Sequence, residues 1–303
     1  MTTASVRGIE LDYDSFGAAG APAIVLIMGL GMPGVAWPDA LVEGLVAAGF
    51  RVIRFDNRDS GHSGKVAGGR LPDLRVAIAR AILRRKVIAP YTLDAMADDT
   101  VGLMDALGIG RAHFVGASMG GMIAQNVAAL HPHRVASLTS IMSSTGNPSL
   151  RVALGKPSAL RAILSRPAGT SDVEALVEHY VRVFGVIGSP GFAVDGDLLR
   201  QNLRRVVSRG IHPAATARQL LAILASGDRR PLLARIVAPT LVVHGSNDPL
   251  LPVAAGRDTA ACIPGARLEI VEGMGHDLPP GVQELLVARI VAHCRGATGE
   301  PGR

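Results

Sequence analysis

HFVGASMGG, residues 113–121, sets a serine between two glycines at the end of an apolar run. Gly116, Ser118 and Gly120 make a G-x-S-x-G pattern. In a chain with 36 glycines such a match has little force alone. Its surroundings give it force. AHFVGA (112–117) reads as a buried strand, and MGGMIAQNVAALH (119–131) follows at once with helical periodicity. A serine between strand and helix is pushed into a backbone conformation that only small neighbours tolerate. The turn lifts its hydroxyl above the sheet edge and aims the helix N-terminus at whatever binds there.

Working outward, strand and helix patterns alternate. Residues 5–17 read as a hairpin with Gly8 and Gly17 as turn signals. AIVLIM (23–28), RVIRFDN (51–57) and RVASLTSIM (134–142) are further strands, the first apolar on both faces. PDALVEGLVAAG (38–49) is a helix with proline at its start and glycine at its end. LDAMADDTVGLMDALG (93–108) is another, with Thr92 as its expected cap and Gly108 as its stop. Strands resume with PTLVVHG (239–245) and RLEIVEG (267–273), with helices over 253–263 and 282–294. This alternation predicts an α/β fold: a mostly parallel central sheet with helices on both faces. Residues 146–231 break the pattern. They hold helical periodicity, clearest at 173–185 and 198–210, and no convincing strand. The expected organisation is a core of 1–145 and 232–303 with a helical cap of 146–231.

A serine nucleophile needs a base, and the base needs an orienting acid. Asp248 follows the strand TLVVHG and His276 follows LEIVEG, both at strand C-terminal ends, where parallel sheets build their sites. Bland readings stand beside these. Ser118 could merely cap a helix, Asp248 could be a turn former before Pro249, and His276 could be a surface histidine. His244, inside a strand, reads as structural. An oxyanion also needs backbone donors. The expected pair is the N–H of Met119 and that of Leu30, in the loop Met28-Gly29-Leu30-Gly31. Gly29, Gly31, Met32 and Met122 are candidates for the substrate pocket, although methionine also fills cores. Asp56, Arg58 and Asp59 read as a bracing polar network. Asp277 is either a support for His276 or a solvated group.

Composition excludes several classes. With 48% hydrophobic and 18% charged residues the chain is globular. Net charge is +6, yet only 3% of residues are aromatic and the cations are scattered, so no nucleic-acid partner is expected. Arg75, Arg80, Arg84, Arg85 and Lys86 form a basic run. The sharp reading is an interfacial helix that docks on anionic lipid, but on a helical wheel the five charges spread all round and leave no clean apolar face, so the run reads as solvated or as bracing the cap. No apolar stretch has the length of a membrane span, and no signal peptide is evident. Cys262 and Cys294 are neither a disulfide framework nor metal ligands. No metal or organic cofactor is expected, and the default compartment is cytoplasmic. Oligomeric state, monomer or homodimer, is not readable.

The strings RFDNRDSGHS (54–63), GASMGGMIAQ (116–125) and GMGHDLP (273–279) resemble the α/β-hydrolase superfamily, in its serine carboxylesterase and lipase branch. They are most similar to small bacterial esterases of the aclacinomycin methylesterase type. Met28-Gly29 departs from the His-Gly many relatives carry, and Asp59 stands where many carry glycine, a form found in the methylesterase-like group. The resemblance implies a Ser118–Asp248–His276 triad that cleaves small-molecule carboxylic esters through an acyl-enzyme. A serine at the elbow excludes the carboxylate chemistry of haloalkane dehalogenases and epoxide hydrolases. A thioesterase, a C–C bond hydrolase and a cofactor-free perhydrolase would use the same triad. A catalytically weak ligand-binding module would keep only the fold.

Overall fold

A computed structural model describes residues 2–67, 71–165 and 172–299. The ends of the expected core, residues 1 and 300–303, and part of the expected cap, 166–171, lie outside them. Eight strands form one sheet: β1 (Thr2–Val6), β2 (Ile9–Phe16), β3 (Ala23–Ile27), β4 (Arg51–Phe55), β5 (Ala112–Ala117), β6 (Val135–Ile141), β7 (Thr240–Gly245) and β8 (Arg267–Val271). Their order across the sheet is β1-β2-β4-β3-β5-β6-β7-β8. β1 and β2 are antiparallel, turning through Arg7 and Gly8, both at positive φ, and β2 runs antiparallel to β4. From β4 to β8 every pair is parallel. Strands β3, β5, β6 and β7 are buried along their whole lengths, as strands with helices over both faces are.

The helices of the first half are α1 (Asp39–Ala47), α2 (Leu74–Ile82), α3 (Leu93–Ala106) and α4 (Met119–Leu130). Between β6 and β7 come only helices among the described residues: α5 (Leu150–Ala153), α6 (Pro157–Leu164), α7 (Val173–Ile187), α8 (Gly196–Ser208), α9 (Pro213–Ser226) and α10 (Arg230–Leu233). Helices α11 (Val253–Cys262) and α12 (Pro280–Thr298) complete the chain. Two apolar clusters sandwich the sheet. One gathers Phe114, Ile123 and Val127 with Leu93 and Met96 of α3. The other gathers Trp37, Leu41, Val115 and Val243 with Leu286 and Ile290 of α12. Helices α7 and α8 hold a small cluster of their own, Leu176, Val177, Leu203 and Val207.

From β3 the chain winds outward to β4, then crosses back to β5 and proceeds the other way through β8. The order reverses between β3 and β5. The crevice at the carboxyl ends of these two strands is where such a sheet binds ligands. Ser118 follows β5 there, and Gly29 and Leu30 follow β3.

Two local expectations differ from the structure. Thr92 stands at the N-cap of α3, but its hydroxyl makes no cap bond. The Leu93 N–H is satisfied instead by Ser226 Oγ of α9, at 3.0 Å. The basic run is only partly helical. Helix α2 stops at Ile82, with Leu83 as its cap. Arg84 takes φ 53°, and the Arg84 and Arg85 N–H groups fold back onto Ala81 and Arg80 carbonyls. This is a Schellman ending with arginine where glycine is usual. Only Arg75 and Arg80 therefore sit on the helix itself.

Candidate active site

Ser118 adopts φ 55°, ψ −119° between β5 and α4. This strained geometry is held by its surroundings. Its N–H bonds Ile141 O at 2.9 Å, and its carbonyl accepts Ser143 Oγ at 2.8 Å. The two flanking glycines are needed for space. A Cβ on Gly120 would lie 1.9 Å from Ile27 O, and one on Gly116 would lie 2.2 Å from Gly120 O. The elbow thus packs backbone against backbone, and no side chain fits at either position.

Asp248 and His276 meet at this serine. The loop after β7 turns back so that Leu250 and Leu251 N–H groups both donate to Asp248 Oδ1, each at 2.9 Å. Its Oδ2 lies 2.7 Å from His276 Nδ1, and His276 Nε2 lies 3.0 Å from Ser118 Oγ. Burial alone would raise the Asp248 carboxyl. The facing His276, its hydrogen bond, His244 and the Leu251 N–H outweigh that and hold it below the usual carboxylate range. An ionised Asp248 accepts only, so His276 Nδ1 carries the proton and Nε2 offers its lone pair to the serine hydroxyl. Both side chains are buried, whereas Ser118 is partly exposed. His244 is fully buried and bonds Leu251 O through Nε2 at 2.8 Å. Burial lowers its pKa. It supports the Asp248 loop and does not reach the serine.

The α4 N-terminus places the Met119 N–H among the helix donors that have no intrahelical acceptor. Across the crevice, the Leu30 N–H has no acceptor among the described residues. The neighbouring Gly31 N–H is engaged, donating to Gln219 Oε1 at 2.8 Å. Gly29 lies close enough that a Cβ would stand 3.2 Å from Ser118 Cβ. Gly31 has φ 69°, and a Cβ there would meet Thr216 of α9 at 2.8 Å. Met122 is buried in the cluster beneath α4, and Met32 packs at the edge of the opposite cluster.

The loop 56–63 braces this site. Asn57 Nδ2 donates to Met28 O at 3.0 Å, fixing the end of β3. Asp56 accepts the Gly34 and His62 N–H groups and pairs with Arg209. Arg58 forks onto Asp99, and Asp59 accepts Tyr91 and a fork from Arg218. Arg209 also pairs with Asp12. Gln219 completes the set, since its Nε2 donates to Arg58 O at 2.8 Å. Arg209, Arg218 and Gln219 follow or belong to α8 and α9, so the helical block is tied to the core through buried ions. Sequence reading missed all three, because one polar residue on a helix has no local signature of a partner 150 positions away.

The His276 loop is tied to the block as well. His276 N–H donates to Ile187 O at 2.7 Å, and Gly275 N–H to Ser189 Oγ at 2.8 Å. Ser189 in turn donates to Asp277. Asp277 is therefore a support for the loop and not a solvated group. Burial raises its carboxyl above the usual range. Cys294 is buried, which pushes its thiol up to about 12, and Cys262 is half-buried. Among the described residues no group of His, Cys, Asp or Glu could hold a metal ion. Among the same residues no helix is long and apolar enough to cross a membrane.

Residues 22–279 match the model of the α/β-hydrolase fold family, so the chain belongs to that family. It is 33% identical over 300 residues to a rhodomycin D methylesterase of Streptomyces sp. (strain C5), covering 92% of this chain and 93% of the relative. It is 32% identical to a rhodomycin D methylesterase of Streptomyces peucetius, over 98% of this chain and all of the relative. Among solved structures, an enol-lactonase from Burkholderia xenovorans LB400 superposes with a TM-score of 0.69 at 26% identity. That match covers 96% of this chain and 99% of the other. The protein is an enzyme of the ester-hydrolase class within this family.

Proposed function

We propose that the chain cleaves carboxylic esters by a Ser118–His276–Asp248 relay through an acyl-enzyme. The observation that carries this reading is the unbroken pair of contacts, 2.7 Å from Asp248 to His276 and 3.0 Å from His276 to Ser118. His276 Nε2 takes the Ser118 proton as Oγ bonds the ester carbonyl carbon. The carbonyl oxygen, now anionic, is held by the Leu30 and Met119 N–H groups. Collapse breaks the bond to the alcohol oxygen, which receives the proton from His276. Water then gives a proton to His276 and its oxygen to the acyl carbon. The second collapse frees the acid and returns the proton to Ser118. Asp248 holds the imidazole in the working tautomer and faces the imidazolium when it forms. The steps balance with water alone.

Residues 146–231 serve as the cap that selects the substrate, with Gly29, Gly31, Met32 and Met122 on the core side of its pocket. The methylesterase names of the two relatives support a small alcohol, methanol above all, as the leaving group. Two free cysteines fit a reducing, cytoplasmic compartment. The test is hydrolysis of p-nitrophenyl esters of increasing acyl length and of methyl esters of bulky acids, with Ser118→Ala in parallel. Turnover that collapses in Ser118→Ala is expected. Cleavage of none of these esters by folded wild-type protein, or equal cleavage by Ser118→Ala, contradicts the proposal.

A further inference from the structure

The basic run does have an apolar face. Helix α2 buries Ala77, with Leu74 and Ala81 beside it, against Val87 and against Leu221 and Leu224 of α9. On the opposite side of the wheel stand Val76, Ala79 and Leu83, with Ile82 at the margin. Val76 is 56% exposed, Ile82 68%, Leu83 69% and Ile88, in the segment that follows, 68%. A surface helix normally turns such residues inward. Around them lie Arg75, Arg80, Arg84, Arg85 and Lys86, all exposed. Among the described residues none of the five makes an ion pair. The one acid between residues 71 and 90 is Asp73, whose carboxylate is spent capping α2 through the Arg75 and Val76 N–H groups.

We infer that the α2 segment, residues 72–88, is a docking surface for an anionic lipid bilayer. The feature is one short helix and its return segment, presenting large apolar side chains among cations, with a cavity of about 150 Å³ between the two lined by Val76, Ala77, Val87 and Ile88. A bilayer interface takes apolar side chains to the depth of the acyl boundary and leaves arginine and lysine at the level of the headgroups. Charge complementarity decides the sign, since five cations with no acid partner among the described residues, Arg80 bonding only the Lys86 carbonyl, favour an anionic leaflet. At nine residues α2 lies on the membrane and does not span it. Its buried face rests on α9, the helix that carries Gln219 to the oxyanion loop. Docking through α2 therefore holds that side of the helical block against the lipid, within reach of lipophilic substrate partitioned there.

The experiment is flotation of the full chain with phosphatidylcholine vesicles, with and without phosphatidylserine. Wild type is compared with Arg84→Gln/Arg85→Gln and with Ile82→Ser/Leu83→Ser. Thermal melting and turnover of a water-soluble ester check that both variants are folded, since none of these side chains touches the site. Wild type is expected to float with the anionic vesicles and to be released by salt. Each cation removed should lower partition about fivefold, so about 25-fold for the arginine pair. The Ile82/Leu83 variant should lose about tenfold or more. No flotation of wild type with anionic vesicles overturns the inference, as does equal binding to neutral ones. So does undiminished binding by Ile82→Ser/Leu83→Ser, which would mean general attraction of a chain carrying +6.

Discussion

Replacing Gln219 by methionine should slow catalysis from a position that does not touch the substrate. Gln219 is fully buried on α9 and makes two bonds of 2.8 Å, accepting from Gly31 N–H and donating to Arg58 O. Methionine keeps the volume and removes both partners. A buried donor or acceptor left unpaired costs about 1–3 kcal/mol. Two such groups, partly relieved by water, give a loss of stability of about 2–4 kcal/mol. Gly31 is joined directly to Leu30, whose N–H is one of the two proposed oxyanion donors. Outright loss of one such donor costs on the order of 10²–10³ in turnover. A donor that is loosened should cost about 10–10². Because the oxyanion exists only in the transition state, the loss should fall on kcat with little change in KM. The assay pairs steady-state hydrolysis of a soluble ester with urea unfolding. Gln219→Glu adds a control. When ionised, its carboxylate takes the Gly31 N–H but opposes Arg58 O. When protonated, it restores both bonds, so its stability deficit should shrink as pH falls. A stable Gln219→Met with kcat within about twofold of wild type would refute the assignment of Leu30 as donor.

Three further outcomes are expected. Gly120→Ala places a Cβ 1.9 Å from Ile27 O, so it should abolish activity or soluble expression, while Gly110→Ala, with open space around its Cβ, should leave both intact. Asp248→Asn should lower kcat by about 10⁴ with the fold retained, because an amide no longer imposes the Nδ1–H tautomer on His276. His113 is buried against Ser137, and burial, first, with His293 and Arg111 adding to it, lowers its pKa to about 4. The folded value lies below the unfolded one, so its stability is present above pH 6.5 and is lost as pH falls towards 4. That amounts to about 2 kcal/mol by pH 5. Urea midpoints at pH 7.5 and pH 5 should therefore converge in His113→Asn relative to wild type, and an unchanged gap would contradict the burial argument.

What could be read from the sequence was what has a short period. The buried strands are short runs rich in apolar residues, and their boundaries fall within two residues of the expected ones for β3 to β7. The elbow was legible because its strand, its serine between glycines and its helix are contiguous in sequence; Gly116 is required by the nearby Gly120 backbone, although Gly120 is required by Ile27 of β3. Asp248 and His276 could be placed because each follows a strand. The helical block was legible only as helical. Helices α5, α6, α9 and α10 were not separated, because short amphipathic turns with proline starts look alike. The α2 segment was read too long for a local reason. Arg84 occupies the left-handed position that glycine would have announced, so the wheel ran past the end of the helix at Ile82. Thr92 was the expected cap but makes no cap bond, and the Leu93 N–H goes to Ser226, 133 residues beyond it. Arg209, Arg218 and Gln219 likewise act across distances that no periodicity encodes.

The central claim is that Ser118 is a nucleophile activated by His276. Diethyl p-nitrophenyl phosphate tests it without knowledge of the natural ester, since an activated serine displaces p-nitrophenolate and keeps the diethyl phosphoryl group. Intact-mass and peptide analysis of the treated protein should show one adduct, on Ser118. It should be absent in Ser118→Ala and slowed by orders of magnitude in His276→Ala. An unlabelled wild-type protein, or labelling that persists at the same rate in His276→Ala, would contradict the account.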